Sequence, residues 1–562
     1  MIKRFRPFLL FLSLPLLMAA ETTGHFVISG VKGKVLANVQ SRLQEIAENK
    51  PLESQTDEEL KAQVAQALSP YGYFNSQASI TRGRNNIQIK ITPGPRLLIA
   101  QVSISIVGEG NDNYLIKRAL NKLTLKPGKP FISQDYEQAK QTLMNAAENQ
   151  GYLHASFDKA EVLVDSGHNS ASIQLVFNTG PQFFFGQVQF SPSYISPELL
   201  RRYIPFAEGQ SYSTEQILAF NNALSSSGYF SNVIVKPVLN EEGQMIPVNV
   251  HLQPAPRTNY SIGLGFGTDT GVRGRLGYHV VPVNSAGHKF NAIALGSMNE
   301  NRLQAQYIIP GQNPLTDQYD IFGSLANLNY SAGYSNSAQV SLAQRHTLNH
   351  YQRVLSLNGL YERYSYDETP KFEKLILYPK ASLSWMNKKD QLFSPTGYNV
   401  TVNALGASKL ALSEVNFAQA SVDAKAAVTL EKMRTRLYLH TIQGVTLIDD
   451  INQLPLSLSM LLGGADNLKA YTYNSIGPGK IMSYGGIEIQ KETLDNWYVT
   501  AFFDTGDVYK PSLKDWQNDL GIGLMWVSPI GPIKVGVAQA IDSGFNRKDK
   551  KPRLVINMGP DL

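Results

Sequence analysis

From residue 257 to the C-terminus the chain alternates apolar residues with small or polar ones at a period of two. Tyr260, Ile262, Leu264 and Phe266 interleave with Ser261, Gly263, Gly265 and Gly267. Leu520, Ile522, Leu524 and Trp526 interleave with Gly521, Gly523 and Met525, and Ile533, Val535 and Val537 with Lys534, Gly536 and Ala538. Successive side chains of a strand point to opposite faces, so each segment has one apolar face and one small or polar face. Such strands suit a transmembrane barrel, apolar toward lipid and polar toward a lumen. A soluble β-sandwich is the alternative, and the length of the region weighs against it. The region holds 306 residues. At ~10 residues per tilted spanning strand plus turns, sixteen antiparallel strands fit.

Composition agrees. Charged residues are 17% of the 562, with 44 Gly and 27 Tyr, against about 25% charged in ordinary soluble domains. After residue 20 no run approaches the ~20 apolar residues of a spanning helix, which excludes a helical membrane protein. A hydrophobic share of 43% excludes a disordered chain. Cysteine is absent, so disulfide scaffolds, Cys-ligated zinc, iron–sulfur clusters and thiol catalysis are excluded.

The N-terminus reads as a leader. Lys3, Arg4 and Arg6 precede an apolar run from Phe8 to Ala20 that is too short to span a bilayer, and Ala19 and Ala20 precede Glu21. This is the pattern of a secretory signal peptide over residues 1–20. Without it the chain carries 48 basic against 45 acidic residues, too even to argue for nucleic acid. A leader followed by barrel-type strands points to the outer membrane of a Gram-negative bacterium.

Residues 25–256 follow a different grammar. A phrase recurs as GYFN at 72–75, GYLH at 151–154 and GYFS at 228–231, at spacings of 79 and 77 residues. A helix pattern precedes each copy: Leu60, Val64 and Leu68 behind a Thr56/Glu59 capping box, Tyr136, Leu143 and Ala147 behind Ser133, and Ile217, Phe220 and Leu224 behind Ser213 or Thr214. Gly72, Gly151 and Gly228 stand where a helix ends in a residue of positive φ. Strands follow at 87–91, 173–177 and 248–252, each closed by a Pro-rich turn. The repeat is strand, helix, helix, strand, strand, giving domains at 21–95, 96–180 and 181–256 before the barrel at 257–562. Three unrelated α+β segments are the alternative, and the near-constant spacing counts against it. Residues 25–256 read as a soluble portion separable from the barrel.

Nothing in the sequence supports catalysis or metal binding. His346 and His350 stand four apart in RHTLNH, but Thr347 takes the place where a zinc protease needs its Glu. Gly263, Gly265 and Gly267 lie within one alternating strand with no helix after them, so they are no dinucleotide fingerprint.

Leader, three βααββ repeats and a C-terminal barrel together resemble the BamA/TamA superfamily of outer-membrane assembly proteins, whose repeats are POTRA domains. The resemblance covers nearly the whole mature chain. Three repeats and the ending MGPDL resemble its TamA branch. Family barrels carry a long loop folded into the lumen with V/I-R-G-F/Y at its tip. The matching residues are Leu468, Lys469, Ala470 and Tyr471 in LLGGADNLKAYTYNSIGPG, with Lys for Arg and Ala for Gly. The family's G-G-x-E pattern falls on Gly485, Gly486 and Glu488, and its F-x-D-x-G pattern on Phe502, Asp504 and Gly506. The resemblance implies that Glu488 and Asp504 anchor Lys469; both could equally be ordinary lumen-facing polar residues. Lys469 keeps the charge without the planar fork of Arg, and Ala470 gives up the freedom to take positive φ.

The resemblance further implies a non-enzymatic role without cofactors: insertion of outer-membrane β-barrel or autotransporter proteins, with a TamB-like partner reaching from the inner membrane, client outer-membrane proteins and outer-membrane lipid. The barrel would close between a first strand at Tyr260, Ile262, Leu264 and Phe266 and a last strand at Leu554, Ile556 and Met558. Glycines in the first and Pro552 ahead of the last make that seam weak, with facing residues sought around Leu264 and Ile556. A two-partner-secretion-type export pore and a porin-like channel are the alternatives.

Overall fold

The computed structural model describes residues 22–23, 26–49, 55–83, 86–165, 167–239, 243–366, 369–388, 390, 392–509, 516–529, 531–542 and 551–559. The leader expected at 1–20 and the end of MGPDL beyond Gly559 lie outside the described residues.

The first repeat runs from strand Phe26–Ser29 through helices Gly33–Asn49 and Asp57–Leu68 to strands Gln77–Arg82 and Ile87–Thr92. The last strand lies between the other two, parallel to Phe26–Ser29 and antiparallel to Gln77–Arg82. Its alternation is complete: Ile87, Ile89 and Ile91 are buried under Val39, Leu43, Leu60, Val64 and Leu68, and the residues between them are exposed. The capping box forms, with Glu59 N–H donating to Thr56 Oγ1 (3.2 Å) and Thr56 N–H to Glu59 Oε2 (2.8 Å). The second repeat has the same order, Leu98–Val107, Tyr114–Asn121, Ser133–Glu148, Ser156–Asp165 and Ser170–Asn178, around Ile116, Leu143, Ile173, Leu175 and Phe177. The third comprises Phe184–Phe190, Pro197–Arg201, Thr214–Ser226, Phe230–Pro237 and Met245–Pro254.

The recurring Gly-aromatic phrase has a job beyond ending helices. Gly72, Gly151 and Gly228 take φ of 86°, 86° and 80°. This turns the Gly72 carbonyl toward Leu97 N–H (2.7 Å) and the Gly151 carbonyl toward Phe183 N–H (2.8 Å), the residues just ahead of the next repeat's first strand. A Cβ at Gly151 would fall 2.4 Å from the Phe183 carbonyl oxygen, so positive φ and close backbone approach both demand glycine. We expect Gly151→Ala to cost about 1–3 kcal/mol from the forced left-handed residue alone. It should also loosen the joint between the second and third repeats. Hydrogen exchange at Phe183 N–H should then rise well before exchange in the Ser170–Asn178 strand does.

Two compact units divide the chain, and the division runs through the third repeat: residues 190–205, 219–235 and 250–562 form one of them. Within that unit the third phrase meets the barrel. Tyr229 OH donates to the Gly287 carbonyl (2.6 Å), in the turn between the second and third barrel strands, and Lys289 Nζ donates to the Ser227 carbonyl (2.7 Å). Burial pushes the Tyr229 phenol far above its ordinary range, so it remains a protonated donor. Residues 25–256, expected as a separable portion, thus contact the barrel at Ser227 and Tyr229. A cut at residue 256 would leave Tyr229, which is 2% exposed, without the turn it packs on.

The barrel has sixteen strands, from Thr258–Gly267 to Arg553–Met558, each paired antiparallel with the next in sequence. Apolar side chains face outward, Ile262 79% and Leu264 85% exposed. Trp497 stacks on Trp526 across neighbouring strands (5.6 Å, 12°), and Tyr351 lies against Trp385 (5.6 Å). All four sit beside short inter-strand turns, as the aromatic girdle of a membrane barrel does. His346 is on a strand with Nδ1 2.5 Å from Asp317, and His350 is in the following turn against the Met386 carbonyl.

Candidate functional site

The long connection at 448–480 joins the eleventh strand, Thr435–Leu447, to the twelfth, Ile481–Leu494. Its tip is apolar, and Leu462, Leu468, Ala470 and Tyr471 pack on Tyr484, Phe502, Ala538 and Val555 from the inner faces of four late strands. The turn is built by Gly463 and Gly464 at φ 110° and 117° and by Asn467, whose side-chain oxygen accepts from Gly463 N–H (2.7 Å) and Leu468 N–H (2.8 Å).

Lys469 donates to Asp504 Oδ2 (2.7 Å), and the two side chains are only 13% and 1% exposed. The ammonium also lies 4.5 Å from the centre of the Phe502 ring. Phe502 in turn covers Gly521, its cross-strand partner, where a Cβ would meet the ring edge at 2.3 Å. Tyr484 OH donates to the other oxygen of Asp504 (2.8 Å). Ala470 is not among the residues of positive φ. Its contribution is its N–H, donated to Asp519 Oδ2 (2.7 Å), so the change from Gly removes nothing the turn uses.

Glu488, expected beside Asp504 as an anchor of Lys469, makes its hydrogen bonds to other partners. It takes Lys534 at 3.1 and 3.3 Å and the Gln490 amide at 2.8 Å, and it makes no hydrogen bond to Lys469 among the described residues. Position explains this. Lys534 is a lumen-phase residue of the fifteenth strand, and as a second cation it takes the hydrogen bonds of Glu488, while Lys469 donates to Asp504. Gly486 faces Asp504 across the strand pair, and a Cβ there would lie 2.3 Å from both Asp504 Oδ1 and Tyr484 OH. Gly485 points into open space. We therefore expect Gly486→Ala to cost about 1–3 kcal/mol by overpacking and to separate Tyr484 from Asp504. Gly485→Ala should be nearly neutral. The temperature at which the folded gel band is lost should fall only in the first variant.

Several contributing residues stand outside the sequence motifs. Asp519 lies directly opposite Asp504, fully buried. Its one signal in the sequence is an acid in the phase of Gly521 and Gly523, on the inner face. Glu362 holds the stem of the loop: it accepts from Ser335 Oγ (2.7 Å) and from the N–H (3.0 Å) and hydroxyl of Ser457. Tyr366 OH donates to the Leu454 carbonyl (2.6 Å).

The seam lies between the first and last strands. The first has ten residues and pairs along its whole length with the second strand. The last has six, paired with the fifteenth from Arg553 to Met558. Among the described residues one backbone hydrogen bond joins first to last side, Thr268 N–H to the Ile556 carbonyl at 3.3 Å. Ile556 N–H turns to Thr268 Oγ1 (3.3 Å), and Arg273 reaches the Met558 carbonyl (3.2 Å) from the second strand. Ile556 thus stands beside Thr268, four residues beyond the expected Leu264. Among the described residues the last strand ends at Met558, short of Tyr260 and Ile262 in this register.

Sequence comparisons agree with this architecture. The model of the Omp85 superfamily domain matches residues 286–561. That of POTRA domain TamA domain 1 matches 25–93, and that of the surface antigen variable number repeat, a POTRA model, matches 102–180 and 183–255. Among solved structures, BamA from Haemophilus ducreyi lacking POTRA domains 1–3 aligns at TM-score 0.68 and 14% identity, covering 82% of this chain and 99% of that one. CdiB from Acinetobacter baumannii aligns at TM-score 0.48 and 12% identity over 94% of this chain and 100% of that one. The chain belongs to the Omp85 superfamily, in its BamA/TamA group with TamA-type POTRA domains, and is an outer-membrane insertion and translocation protein whose POTRA domains lie in the periplasm.

Proposed function

We propose that this protein assembles outer-membrane β-barrel or autotransporter clients by opening at its seam, and that a TamB-like partner docks on its first POTRA domain. The single observation that carries the reading is the mismatch of the closing strands: a first strand of ten residues closes against a last strand of six, with one backbone hydrogen bond between the two sides among the described residues. Backbone groups left unpaired in a bilayer cost several kcal/mol each. A first strand whose edge is largely unshared among the described residues is therefore a template for an incoming strand.

Partner docking rests on the same chemistry at Gln77–Arg82, which forms the outer position of its sheet. A photo-crosslinking residue at Ser79 should capture the periplasmic partner in cells, whereas one in the buried central strand, at Ile89, should not. Loss of assembly without any capture along that strand would remove the docking half of the proposal.

A second reading, an export pore of the two-partner-secretion type, draws on a polar cavity of about 570 Å³ beside the loop stem. It is lined by Ser337, Ser341, Ser356, Asn358 and Gln339. Export through the lumen would require the loop to leave, whereas strand templating requires the seam to part.

A further inference from the structure

We propose that the lumen loop is the latch of the seam, with Asp269 and Arg553 as the positioning residues that clamp its tip. The inference rests on the seam being a working part of the barrel. Asp269 lies in the turn after the first strand, and Arg553 opens the last strand, so the two stand on opposite sides of the seam. They meet at 3.2 Å, Arg553 Nη2 to Asp269 Oδ1. Each also holds the loop. Asp269 Oδ2 accepts the N–H of Ala465 at 2.6 Å, and the other arm of Arg553 donates to the carbonyl oxygen of Tyr471.

The chemistry suits a clamp. A carboxylate has two oxygens, and here one serves the far side of the seam and the other serves the loop. A guanidinium presents donors in a fixed planar fork, so a single Arg can hold a carbonyl and a carboxylate at once. Gly464 makes the approach possible: at φ 117°, a Cβ there would lie 2.7 Å from Asp269 Oδ2. Asp269 and Arg553 are 14% and 22% exposed, so water competes only partly for the pair. With so little backbone pairing between first and last strands, the loop tip bridges them through side chains. Lifting the tip would then leave the seam to Thr268 and Arg273.

The chain has no cysteine, so the seam can be read by a Thr268→Cys/Ile556→Cys pair in the full-length barrel, timing disulfide formation under mild oxidation. The control is Val535→Cys/Ile556→Cys, across the regular ladder of the fifteenth and sixteenth strands. Adding Arg553→Gln or Asp269→Asn should slow crosslinking at the seam several-fold and leave the control unchanged. Arg553→Lys, which can reach only one of the two partners, should fall between. Unchanged seam kinetics in both variants would overturn the latch, and so would an equal slowing of the control, which would mean general loosening of the barrel. Client assembly is scored separately. Slowed seam closure in variants that gain and lose no assembly activity would leave the latch standing and remove seam opening from the assembly reaction.

Discussion

Asp504→Ala should release the lumen loop, and Lys469→Glu should release it further. Asp504 is 1% exposed and spends both oxygens, one on Lys469 and one on Tyr484. Removing one member of a buried pair leaves the other charge without compensation, at a cost of ~3–5 kcal/mol when no water can enter. A wet lumen lowers that figure. Asp519 raises the stakes. It faces Asp504 directly across two strands, so two buried carboxyl groups stand side by side with Lys469 as their nearby cation. Lys469→Ala leaves the buried carboxyl pair without its cation, and Lys469→Glu places a third acid beside it. Lys469→Arg restores the charge and adds a second donor for the same carboxylate, so it should be tolerated or better. Cleavage of the loop by external protease in intact cells should therefore rank Glu above Ala, with Arg at the level of the unaltered chain. Equal cleavage in all three would mean that Lys469 plays no part in seating the loop.

Much of this architecture is legible in the sequence. Period-two alternation marks which side of each strand meets lipid, because a strand has only two faces, and Ile262 and Leu264 are accordingly exposed. The Thr56/Glu59 box fixes a helix start to the residue because both halves of the cap are local. The motif match names Lys469, Asp504 and Glu488 together; Lys469 hydrogen-bonds Asp504, and Glu488 hydrogen-bonds Lys534. That division has a physical origin: pairing in a lumen depends on which cations the neighbouring strands deliver, and Lys534 lies 46 residues from Glu488 in sequence. Asp519 is hidden for a related reason. One acid at the start of an alternating strand says which face it occupies, and nothing about the backbone N–H that will meet it. Register across the seam is beyond sequence altogether. Six residues can slide along ten, and the Thr268–Ile556 backbone bond together with the side-chain contacts of Thr268, Arg273 and Arg553 marks the offset.

The third repeat carries a similar lesson. Its Gly-Tyr phrase looks like the other two, yet Tyr229 ends on a barrel turn where the earlier copies join one repeat to the next. A repeat read from sequence gives the unit, and the neighbour of the last unit decides what its joint does.

Locking the seam tests the account most directly. A Thr268→Cys/Ile556→Cys pair joins positions already linked by a backbone hydrogen bond of 3.3 Å, within the ~7 Å Cα separation a disulfide needs. The oxidised barrel should remain folded, judged by its heat-modifiable migration, while client assembly falls to background, and reduction should restore it. Full assembly by a quantitatively oxidised barrel would contradict lateral opening and leave the lumen or the POTRA domains as the working route.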